Sequence, residues 1–177
     1  LGDKMLYDPV LALNKINEVL VEKLNGYLPA APKGFIKDEE STKGNNVGAL
    51  FGMQGAIMAS AEYNEDKPEP VSSDDAGYVE DTRSKITVSL AVGGILGKAG
   101  AFANFGQMAG GDANSKSIRI KGYTGTVNYN KNDKRGTMVL QLGDKVSITA
   151  EGSNLANTDI LKSVIESIKL NELEKGF

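Results

Sequence analysis

The sequence predicts an α+β domain in which a central antiparallel sheet of about five to seven strands is covered by helices at the N- and C-terminal ends. Three observations carry this. KSIRI, YTGTVNYN, GTMVLQL and KVSITAEG follow one another in the C-terminal third, rich in β-branched and aromatic residues and separated by turn residues. Each end of the chain carries apolar residues at helical spacing. A length of 177 residues is that of one domain, able to bury roughly two-thirds of its unfolded surface, so residues 1–177 are read as a single unit.

At the N-terminal end, Asp8 can cap a helix, Pro9 fits its first position, and Gly26 with Pro29 closes it. Val10, Leu13, Ile16, Leu20 and Leu24 recur at helical spacing, widened by Leu11 and Val19, and this stripe is expected to pack on the sheet. The APKGFIKDEESTKGNN segment reads as polar turns. The small-residue stretch after it contains a strand at 57–63. Residues 64–84 hold seven acidic and two basic side chains and read as an exposed acidic loop. Ile86, Val88, Leu90 and Val92 alternate with smaller or polar residues, which is the period of a half-buried strand.

Farther on, Met138, Leu140 and Leu142 share one face, as do Val146, Ile148 and Ala150. The Gly143-Asp144 pair predicts a two-residue hairpin between them. Ile118 and Ile120 are in even phase but Tyr123, Val127 and Tyr129 in odd phase, so Gly122 must supply a turn or bulge that resets the alternation. Ile160, Leu161, Val164, Ile165 and Ile168 then form a helical stripe, with Asn157 or Thr158 as cap.

Composition excludes much chemistry. With no cysteine and no histidine, the chain has no thiolate nucleophile, no disulfide, and neither the commonest general base nor the commonest transition-metal ligand. The net charge of −3 does not steer nucleic acid. GGILGKA resembles a phosphate loop only superficially: Val92 stands where the first glycine belongs and Ala99 where the hydroxyl belongs, so no nucleotide site is expected. Instead, residues 99–108 read as a short helix, and 90–111 with the acidic loop as the adaptable part of the molecule. Asp74, Asp75, Glu80 and Asp81 are the densest acids and the candidate ligands of a hard cation such as calcium, against a plain solvated loop. Lys116, Arg119, Lys121, Lys131, Lys134 and Arg135 surround Tyr123 and Tyr129, a mixture that single-strand binders use, yet it reads better as solvated surface than as an anion site.

YLPAAPKGF after a helix, then SKITVSLAV, IRIKGYTGTVNY, TMVLQLGDKVSITAEGSN and DILKSVIESIKLNEL, taken in that order, resemble a group of small bacterial secreted or periplasmic proteins. These resemble in turn the fold shared by PsbP, an extrinsic photosystem subunit, and the nuclear-import factor Mog. The resemblance implies an α/β/α sandwich and a non-enzymatic role, and it carries over no catalytic residue.

The expectation for function is a non-enzymatic, extracytoplasmic binding or accessory protein without a cofactor, acting on an unidentified protein or small molecule, with no nucleic-acid partner and no transmembrane segment. The Leu1 start fits a processed N-terminus, leaving open a lipid anchor upstream. Two alternatives stand beside it. A structural component of a cell-envelope assembly would show a large apolar surface, and a histidine-free hydrolase would show converging carboxylates about 5 to 9 Å apart.

Overall fold

The computed structural model describes residues 9–42, 57–68, 81–93 and 115–177, with the side chains of the first helix from Lys15 onward. Helix α1 (Pro9–Asn25) begins at the expected proline and leads through strand β1 (Phe35–Asp38) and a 3-10 turn (Glu39–Thr42) to β2 (Ile57–Glu65). Strands β3 (Lys85–Val92), β4 (Lys116–Ile120), β5 (Tyr123–Asn130), β6 (Arg135–Leu142) and β7 (Val146–Ser153) follow. Helices α2 (Asp159–Ser167) and α3 (Leu170–Gly176) end the chain. The seven strands form one antiparallel sheet in the order β1-β2-β3-β7-β6-β5-β4. Two runs of sequence neighbours therefore meet at β3 and β7.

The apolar alternation sets the register. Leu90 pairs with Ile148, Ile148 with Leu140 and Leu140 with Gly125, so one face of the sheet collects the buried side chains. Leu161, Val164, Ile165, Ile168, Leu170 and Leu173 of the C-terminal helical region, and Leu24 of α1, close on that face as one core. The phase change near Gly122 is a two-residue turn: Lys121 and Gly122 have φ of 48° and 90°, which matches the strand twist, and Ile120 pairs with Tyr123.

Several expectations are corrected. The β6–β7 loop is three residues long, not two, because Leu142 pairs with Val146; a two-residue loop would set Leu142 opposite Lys145 and throw one strand's apolar set outward. Strand β1 lies inside the segment read as turns, where a four-residue edge strand with Ile36 exposed gives no alternation to detect. β2 runs on to Glu65, into the segment read as an acidic loop. The described part of α1 packs through Val21 and Leu24, in the C-terminal turns that also meet the end of the chain, while Ile16 and Val19 are 56% and 64% exposed. The C-terminal helix is broken at Ile168, whose extended backbone (ψ 141°) redirects the chain so that Leu170 and Leu173 also enter the core.

Near its start, α2 comes close to the sheet over a pair of facing glycines. Gly136 pairs with Gly152, and a Cβ on them would lie 2.9 Å from Thr158 Cγ2 and 2.3 Å from Leu155 Cδ1 respectively. Among the described residues all helices lie on this one face. The helix expected at 99–108 lies outside them. No described helix is long and apolar enough to cross a membrane.

Candidate functional site

The sheet face turned away from the helices carries the alternate residues of the same strands, and they are almost all polar. Register places Glu62, Thr87, Glu151, Thr137 and Asn128 in one row across β2, β3, β7, β6 and β5. Two residues along the strands, Asn64, Lys85 and Ser153 form the next row, and Asn130 pairs with Arg135 at its far end. By ordinary strand geometry the rows are about 7 Å apart and neighbouring strands about 5 Å apart. These side chains, with Asp133 from the β5–β6 turn, line a groove of 720 Å³. No aromatic residue is among its lining.

Arg135, Glu62 and Glu151 are exposed, and Thr87, Asn128, Thr137 and Ser153 half-buried. None of these seven side chains has a hydrogen bond or ion pair with another described residue. Other groups at the groove are already engaged. Lys85 Nζ lies 3.3 Å from Asp81, and Asn130 donates to Asp133 at 2.7 Å. Among the described residues the groove thus offers donors, acceptors, one guanidinium and two carboxylates without a protein partner.

Of the four acids picked out in the sequence, Asp74, Asp75 and Glu80 lie outside the described residues. Asp81 is described, and both its oxygens are engaged by protein. Oδ1 accepts from the Arg83 backbone N–H at 3.1 Å and from Arg83 Nε at 3.0 Å, while Oδ2 accepts from Arg83 Nη2 at 2.8 Å. The Arg83 hydrogen bonds hold the Asp81 carboxyl well below the usual carboxylate range, and Lys85 adds to this. Glu65 is held low in the same way, by Lys67 at 2.6 Å and the Ser84 N–H at 3.0 Å. Among the described residues no three acidic side chains converge as a cation site.

The basic and aromatic group is divided between the faces. Tyr129 donates to the Leu155 and Ala156 carbonyls at 2.7 and 2.8 Å, and Tyr123 donates to Glu174 at 2.6 Å, so both rings belong to the helical side. The Glu174 hydrogen bond raises the Tyr123 hydroxyl above its ordinary pKa. Arg135 points to the groove on the other face, and Lys121 donates to the Glu166 carbonyl. A stacking platform needs its rings and cations on one surface; here Lys121 stands beside Tyr123 on the helical side, while Arg135 lies across the sheet. Tyr63, fully buried, donates to the Pro29 carbonyl at 2.6 Å, and burial pushes its hydroxyl far up.

No family model, curated protein or solved structure matches the chain. The chemistry of the groove therefore carries the functional reading. Its residues were visible in the sequence only as outward-facing positions of strands. The signal that joins them is strand order, and above all the β3–β7 pairing, which no local pattern encodes.

Proposed function

We propose that the chain is a non-enzymatic extracytoplasmic binding or accessory protein whose ligand lies in the polar groove on the outer face of the sheet. One observation carries this reading: a 720 Å³ groove in whose lining seven polar side chains, Arg135, Glu62 and Glu151 among them, have no bond to another described residue. A small polar ligand is held by such convergent donors and acceptors. Glu62 and Glu151 stand in one row with Thr87 between them, about two strand spacings or 10 Å apart at the backbone. The assembly alternative draws on Ile16, Val19 and Ile36, the large apolar side chains exposed among the described residues. The extracytoplasmic part rests on the absence of thiols and histidines and on the sequence resemblance.

The test is a thermal-shift screen against saccharides, amino acids, short peptides and nucleotides. A ligand present at a hundred times its Kd stabilises the protein by about 2.7 kcal/mol, a readily measured shift. Shifts that vanish when groove residues are replaced support the reading. Turnover of a hydrolase substrate, lost in Glu151→Gln, would replace it with the enzymatic alternative. Fractionation of cells expressing the gene with its native upstream sequence tests the compartment.

A further inference from the structure

Charge in the groove is arranged, not merely mixed. On one row stand Lys85 and Arg135, on the next Glu62 and Glu151. Several described acid–base neighbours are joined, among them Glu65 with Lys67, Glu166 with Lys162, Glu172 with Lys169, and at the groove's edge Asp81 with Arg83 and Lys85. Arg135 and Glu151, on adjacent strands and one row apart, have no such bond to each other or to another described residue. Strand geometry separates their backbones by about 8 Å.

On the binding reading above, we propose that the groove holds a small zwitterion of amino-acid to dipeptide length. Its carboxylate lies on the Arg135 guanidinium and its ammonium on the Glu151 carboxylate. The guanidinium fork matches a carboxylate in two parallel hydrogen bonds, which makes Arg135 the selective end. Thr137 on β6 and Ser153 on β7, half-buried on the two strands that carry the charges, offer both donors and acceptors to the amide or side-chain groups between them. The alternatives fit less well. A polyanion meets Glu62, Glu151 and Asp133, a polycation meets Lys85 and Arg135, and a nucleobase finds no ring to stack on. A second copy of the same concave face would leave the groove unfilled.

The experiment is an NMR chemical-shift titration of the intact chain with glycine, β-alanine and glycylglycine. Acetate, methylamine and glucose serve as matched controls, at millimolar concentrations and low salt. The expected result is saturable shifts at β6 and β7 from at least one zwitterion, with acetate and methylamine at least tenfold weaker. Arg135→Ala and Glu151→Gln should each weaken the zwitterion at least tenfold while leaving the ligand-free melting temperature unchanged. Added salt should weaken binding further. Acetate binding as well as the zwitterions, or Glu151→Gln without effect, overturns the proposal in favour of a simple anion site. Glucose binding in the groove when no zwitterion binds overturns the ligand class but leaves the binding reading in place. If no probe shifts groove resonances and the wider screen also finds no ligand, both fail.

Discussion

Asp81 and Asn154 fasten the approach to β3 to the end of β7. Asn154, in left-handed backbone at φ 57°, donates from Nδ2 to the Asp81 and Arg83 carbonyls at 3.1 and 3.0 Å, and its own carbonyl accepts from Ser84 Oγ at 3.0 Å. Replacing Asn154 with Ala removes two hydrogen bonds and leaves an unfavourable φ, an expected loss of about 1–3 kcal/mol in a urea melt. Asn154→Gly should recover the backbone part alone. The carboxyl of Asp81 is lower in the folded chain than its ordinary value of about 3.9, so the stability it contributes is present above that pH. That contribution fades as pH falls through the lower folded value. Urea midpoints of the wild type and Asp81→Asn should therefore differ at neutral pH and draw together below about pH 4. A gap that keeps its full size as pH falls below about 4 would show that the carboxylate charge is not what matters.

At the element level, the seat of α2 depends on two missing side chains. Gly136 and Gly152 let Thr158, Leu155 and Leu161 settle against β6 and β7. Gly152→Ala should cost about 1–3 kcal/mol through overpacking, and Leu155→Ala in the same chain should return part of it, a coupling that a double-mutant cycle measures. The other helical junction is a clasp between α1 and the end of the chain. Lys23 donates to the Gly176 carbonyl at 2.7 Å and sits 4.9 Å above the Phe177 ring, which meets Tyr27 edge-on at 6.4 Å. Phe177→Ala is expected to lower stability by about 1 kcal/mol in thermal unfolding. These elements also show what sequence alone can say. The β4–β5 turn, the strands of the last third and the α2 stripe were legible because local chemistry decides them: Gly122 for the turn, alternation for the strands, and Asn157, whose Oδ1 accepts from the Asp159 N–H at 2.9 Å, for the helix start. The packing face of α1 was not, since Ile16 and Leu24 obey the same spacing and only the crossing point separates exposed from buried.

Across the whole molecule, the candidate site is the part least legible in the sequence. Glu62, Thr87, Asn128, Thr137 and Glu151 carry no local pattern that sets them apart, and they come together in one row only because β3 pairs with β7. That same seam governs how the chain finds its shape. β4 to β7 are linked by short turns, whereas Val92 must find Val146 across about 50 residues, which costs about 2 kcal/mol more in loop closure than a tight hairpin. Contacts of high sequence separation come late, so the C-terminal meander should zip first and β1 to β3 dock onto its β7 edge. Leu140→Ala and Leu90→Ala both empty fully buried positions and should each cost about 2–5 kcal/mol at equilibrium. Stopped-flow chevrons should separate them: Leu140→Ala mainly slows folding, and Leu90→Ala mainly speeds unfolding. The reverse pattern would place the seam in the nucleus. In the expected order, the row from Glu62 to Asn128 is completed only as the last strands dock, so ligand added during refolding should leave the folding arm unchanged and slow only the unfolding arm.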